Sequence, residues 1–195
     1  MTECNAERLE FHGLGRRALV GKFDGGNVSS DGGGLLLAEV EARTHLLERL
    51  GGEFVDHRAP EAIEHCVRDL VAQRILGLAR CYEDLNDHDR LRLDPLLAVA
   101  VGKTDPTGQE RCLPRDRGKP LASSSTLNRL ELTPPDADAQ ARYKKIVANP
   151  AGMDRLLVDC FLEANAQPPQ QVWLDLDATD DPLHGHQGGR IFHGY

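Results

Sequence analysis

The sequence predicts an α+β protein, with a mainly α-helical region over residues 1–166, a linker at 167–170 and β-structure over 171–195. Three observations carry this reading. Apolar residues recur at helical spacing through much of positions 35 to 165, with cap residues at the breaks. Gln167-Pro168-Pro169-Gln170 ends that period. The segment that follows, V-W-L-D-L-D-A-T from Val172 to Thr179, alternates with period two instead.

The first 33 residues read as extended and turn-rich, with Gly25-Gly26-Asn27 closing one run and Ser29-Ser30-Asp31 leading into Gly32-Gly33-Gly34. Three successive glycines can cradle a phosphate, but the G-K-[ST] ending of a P-loop is absent, so a flexible turn is the better reading. From Leu35, the residues Leu36, Val40, Leu47 and Leu50 predict one helix that stops at Gly51-Gly52. A second opens at Pro60 and runs towards Cys81, with Ile63, Val67, Leu70, Val71 and Leu78 on its apolar face. Y-E-D-L-N-D-H-D-R-L-R is a polar helical segment, and Asp94-Pro95 starts the short apolar helix P-L-L-A-V-A-V-G. Residues 103–122 are rich in Pro, Gly and basic side chains and read as an exposed loop.

After that loop, Ser123 to Thr126 can supply the N-cap of a helix T-L-N-R-L-E. A basic loop carrying Arg111, Arg115, Arg117 and Lys119, followed by a first turn carrying Ser125, Thr126, Asn128 and Arg129, is a candidate DNA-facing element. The competing reading is a capped surface helix beside a solvated loop. Two further helices are predicted, P-D-A-D-A-Q-A-R-Y-K-K-I-V-A-N and M-D-R-L-L-V-D-C-F-L-E-A-N.

A chain of 195 residues, 40% hydrophobic and 28% charged, suits one large globular domain or one domain with part of another. No apolar run approaches the roughly 20 residues needed to cross a bilayer. The N-terminus also lacks the basic start and apolar core of a signal peptide, so a cytoplasmic protein without membrane contact is expected. Five cysteines without a C-x-x-C pair read as reduced, mostly buried thiols. A net charge of -8 argues against unspecific coating of nucleic acid but leaves room for a local basic surface.

Within the period-two segment, Val172, Leu174 and Leu176 share one face, while Trp173, Asp175, Asp177 and Thr179 share the other. Two carboxylates on a rigid strand suit Mg²⁺, a hard cation that takes a few protein oxygens and substrate phosphate. An acidic turn through Asp180-Asp181-Pro182 is the bland reading. An EF-hand fails on spacing, because the sixth position is Asp180 instead of Gly and the twelfth is His186 instead of Glu. In a phosphatase of the haloacid dehalogenase type, Asp175 would be the nucleophile and Asp177 the general acid and base, with the remaining motifs beyond Tyr195. His184 and His186 have ligand-like H-x-H spacing, and His193 follows. With no cysteine near and Mg²⁺ preferring oxygen, turn structure or backbone contact is the better reading for them.

The segment W-L-D-L-D-A-T-D-D-P-L-H-G-H-Q-G-G-R-I-F-H-G-Y closely resembles the first catalytic motif of bacterial insertion-sequence transposases of the DDE class, which have an RNase H-like catalytic domain. Upstream, F-D-G-G-N-V-S-S-D-G-G-G-L-L-L, R-I-L-G-L-A-R-C-Y-E-D-L-N-D-H-D-R-L-R-L-D-P and L-A-S-S-S-T-L-N-R-L-E occur in the order such transposases show. The resemblance implies cut-and-paste DNA transposition by metal-dependent phosphoryl transfer, with Mg²⁺ or Mn²⁺ as cofactor. The implied partners are the inverted-repeat ends and target DNA, and the full-length protein is expected to form homo-oligomers. Asp177 corresponds to the first acid of the triad and its metal ligand, and Asp175 is the second choice, as an outer-shell group. Residues 171–195 would begin the catalytic domain, and 1–166 would recognise DNA ends. The triad's second Asp and its Glu do not appear before Tyr195, so the sequence reads as an N-terminal fragment inactive alone, or as a non-catalytic DNA-binding remnant.

Overall fold

The computed structural model describes residues 9–22, 30–167 and 169–175. The chain begins with an antiparallel hairpin of β1 (Leu9–Leu14) and β2 (Arg17–Gly21), turned at Gly15 with φ +58°, where a residue with a side chain would be strained. Phe11 pairs with Leu19, and the register shifts between Phe11 and Leu14. The extended N-terminal reading is thus realised as paired strands.

The helix expected over 35–50 is two helices, α1 (Gly34–Thr44) and α2 (Leu46–Gly51). His45 between them is left-handed, with φ 52°. The break is held by the Glu41 carboxylate, which is 8% exposed and accepts the main-chain N–H of Leu47 at 2.7 Å and of Glu48 at 3.2 Å. Those amides open α2 and have no intrahelical acceptor, so a side chain from α1 satisfies them.

The second predicted helix starts later than Pro60. Residues Pro60–Ala62 form a 3-10 turn, Ile63 is extended, and α3 spans Val67–Leu78. The interruption buries His65, which is 6% exposed, and lets the Arg58 guanidinium donate to the His65 carbonyl at 3.0 Å. Helix α3 is the centre of the fold. Its Ala72 and Leu76 join Leu47, Leu91, Leu97, Val101 and Leu121 in one apolar cluster, while its Leu70 and Val71 join Ala122, Leu127, Leu130 and Ile146 in a second. Each fully buried leucine contributes on the order of 2 kcal/mol.

The polar segment after Cys81 holds a 3-10 turn, Leu85–Asp87, and the short α4 (His88–Leu91). Helix α5 (Pro95–Val101) follows its local signals: Asp94 accepts the Leu96 N–H at 2.8 Å, Pro95 fills the first position, and Gly102 ends the helix at φ 94°. Helix α6 (Ser124–Glu131) starts where the serine cluster predicts it.

Residues 135–149 are not the helix expected. They form turns and then β4 (Ile146–Ala148), antiparallel to β3 (Phe54–Asp56), with Phe54 opposite Ala148 and Asp56 opposite Ile146. Pairing with β3 and burial of Ile146, 1% exposed, override the helical pattern. Helix α7 (Pro150–Glu163) is entered through Asn149, whose side-chain oxygen accepts the Gly152 N–H at 3.2 Å.

The chain divides into two units between Asp159 and Cys160. In the second, residues 171–175 adopt no regular secondary structure, and Trp173 and Leu174 are 85% and 82% exposed. The strand expected there is not formed by Val172 to Asp175, because a strand exists through its ladder and these residues pair with no other described residue. Leu176 to Thr179, including Asp177, and all three downstream histidines lie outside the described residues.

Candidate nucleic-acid interface

Helix α6 carries the site because one face is anchored and the other is free. Leu127 and Leu130 are 0% and 5% exposed in the second cluster, which turns Ser125, Asn128 and Arg129 outward. Ser123 occupies the N-cap position; its carbonyl accepts the Leu127 N–H at 3.1 Å. Its hydroxyl lies 3.0 Å from Ser125 Oγ and 3.3 Å from Thr126 Oγ1 instead of capping an amide. Asp89 reaches across from α4 and accepts the Ser124 N–H at 3.1 Å and the Ser124 hydroxyl at 2.9 Å. The Ser124 amide bond holds the Asp89 carboxyl below the usual carboxylate range.

Facing this turn is the stretch before β4. Leu85, Asn86, Ser124, Ser125, Asn128, Arg129, Tyr143 and Lys144 line an open groove of about 420 Å³. Tyr143 is 57% exposed, with the Arg142 guanidinium 4.8 Å and that of Arg129 5.5 Å from its ring centre. The neighbouring Lys145 is fixed from both ends, its ammonium donating to the Ala139 carbonyl and its own carbonyl accepting the His57 N–H at 2.8 Å. This pins the backbone that presents Tyr143 and Lys144.

Of the eight residues the sequence singles out, Ser125, Asn128 and Arg129 line the groove; Thr126 sits on the same turn, and the four loop cations do not line it. Arg111 is tied into the fold. Its guanidinium, 12% exposed, donates to Glu64 at 2.7 Å and to the Lys119 carbonyl at 2.9 Å, and lies 2.7 Å from His65 Nε2. Burial first, then the charges of Lys103, Arg111, Arg92 and Arg58, push the His65 pKa down to about 3, so its ring is a neutral acceptor for Arg111. Lys119 donates to the Arg115 carbonyl at 2.9 Å. Arg115 and Arg117 remain exposed on the loop surface. Sequence reading missed Tyr143 and Lys144, although R-Y-K-K is an aromatic set among three cations, a composition suited to nucleic acid.

Asp175 is exposed, on a segment without regular structure. Among the described residues no group of three or more His, Cys, Asp or Glu side chains is placed to hold a metal ion, and Asp177 lies outside them. No described helix is long and apolar enough to cross a membrane.

No curated protein and no solved structure matches the chain significantly. The family model for the transposase DDE domain, group 1, matches residues 11–195, nearly the whole sequence and every element that builds the groove. This chain therefore belongs to the group 1 family of DDE-domain transposases.

Proposed function

We propose that the protein is the transposase of a bacterial insertion sequence, working in the cytoplasm on the element's inverted-repeat ends and on target DNA. The observation that carries the DNA-binding part is the meeting of Ser125, Asn128 and Arg129 on α6 with Lys144 in one groove. Hydroxyl and amide groups there offer hydrogen bonds, and the two cations offer charge to phosphate.

For the chemistry we assign Asp177 as the first acid of the triad and Mg²⁺ or Mn²⁺ as the cofactor, with Asp175 beside it as a supporting carboxylate. The support is the D-L-D-A-T segment, Asp175 to Thr179, inside the matched family region. Residues 1–166 serve end recognition and 171–195 belong to the catalytic domain, joined through 167–170. Assembly of the full-length transposase as a homo-oligomer would bring two ends together.

A mobility-shift assay with the inverted repeats of the element tests the reading. Binding that prefers the repeats over a scrambled duplex at moderate salt is expected, and equal or absent binding overturns it. In a cleavage assay with a reconstructed transposase that carries the whole acidic triad, Asp177→Asn should abolish strand nicking while leaving the shift intact; retained nicking refutes the assignment.

A further inference from the structure

We propose that the groove holds an unpaired DNA end, with Tyr143 as the platform on which an unstacked base lies and Lys144 with Arg129 as its phosphate contacts; this rests on the DNA-binding reading above. Tyr143 is a large aromatic left 57% exposed at the mouth of a cavity, on a backbone fixed by the Lys145 contacts. Burial in the apolar clusters does not explain it, because the adjoining core residue is Ile146 and Tyr143 belongs to neither cluster.

The surroundings select the ligand. Arg142 and Arg129 both lie over the ring, a combination of π-face and guanidinium planes that accepts bases without regard to sequence. Across the groove, Ser125 and Asn128 present hydroxyl and amide groups within a volume of about 420 Å³, enough for a nucleotide. The Ser124 amide and hydroxyl are already taken by Asp89, so phosphate must be met by side-chain cations instead of the helix N-terminus. A paired base keeps its faces stacked inside the helix and cannot reach Tyr143, whereas a frayed or single-stranded one can.

The test compares the full chain on a mixed-sequence 30-base-pair duplex, blunt or carrying a four-nucleotide single-stranded tail, by fluorescence anisotropy at moderate salt. The tailed duplex is expected to bind about tenfold more tightly. Tyr143→Ala should erase that preference, read as the ratio of tailed to blunt affinity within the same variant, and Tyr143→Phe should keep it. Quenching of a 2-aminopurine placed in the tail should appear with wild type and Tyr143→Phe and vanish with Tyr143→Ala. Blunt and tailed duplexes bound equally by wild type, or a preference that survives Tyr143→Ala, would overturn the inference and leave DNA binding standing. Binding of neither duplex overturns both.

Discussion

Gln73 and His88 form a buried pair, Gln73 Nε2 lying 3.1 Å from His88 Nδ1, and the same Gln73 amide clamps Ala122 through both main-chain groups, at 2.9 Å to its carbonyl and 2.9 Å from its N–H. Both side chains are essentially without solvent contact, at 1% and 0% exposure. One side chain thus joins α3 and α4 to the segment that leads into α6. Gln73→Leu keeps the volume but leaves the Ala122 N–H and carbonyl unpaired in the core. An unsatisfied buried polar group costs about 1–3 kcal/mol, so a loss of roughly 2–4 kcal/mol is expected, read as a lower urea midpoint with an unchanged m-value.

Gly77 on α3 packs against the same imidazole, and a Cβ there would come within 2.9 Å of His88 Cε1. In an open helix, Gly→Ala stabilises by about 1 kcal/mol. Here the sign should reverse, because His88 is enclosed and has nowhere to move. Gly77→Ala is expected to lower the thermal midpoint, and a raised midpoint would show that the imidazole site has slack.

Burial first, then the charge of Arg74, drives the His88 pKa down to about 4, and the His65 pKa falls to about 3. Both folded values lie below the ordinary histidine value near 6.5, so the neutral rings stabilise the fold in full above about pH 6.5. As pH falls from there towards 4, the unfolded chain takes up protons that the folded one refuses. Stability should drop by up to about 1.4 kcal/mol per pH unit per histidine. Urea melts should show a proton uptake on unfolding that is small at pH 7 and rises towards about two at pH 4.5, and His88→Gln should remove up to about one of them.

Lys144 and Arg129 act as phosphate contacts in the proposed complex. Lys144→Ala should weaken DNA binding evenly across sequences and reduce the slope of log affinity against log salt by about one. An unchanged slope would place the phosphate path elsewhere, with exposed Arg115 and Arg117 on the loop the next candidates.

Gly152, in the first turn of α7, faces Glu53 and Asn149, and a Cβ there would overlap Glu53 Oε2 and Asn149 Nδ2. Gly152→Ala should break the 2.9 Å bond between Asn149 and Glu53 and cost on the order of 1–2 kcal/mol. Combining it with Glu53→Ala should cost less than the sum of the two single changes, measurable as coupling in a double-mutant cycle.

Several elements were legible because their causes are local. Asp94-Pro95 and Gly102 bracket α5 through bonds only two to four residues long, and the apolar period of α7 and the serine cluster before α6 work the same way. The ordered motifs from Phe23 to Tyr195 pointed to the DDE transposase family that the match over residues 11–195 shows.

What tertiary structure decided involves partners far apart in sequence. Residues 146–148 are strand because Phe54 to Asp56 pairs with them, and α1 breaks at His45 because Glu41 folds back onto the amides of Leu47 and Glu48. Arg111, one more basic residue in a loop by sequence, is held by Glu64 and His65 some 47 and 46 positions away. Tyr143 meets Arg129 because β4 packs beside α6. Caps and periodicity are written in neighbouring residues, whereas strand pairing, burial of charge and the shape of a groove depend on which distant surfaces exclude water together.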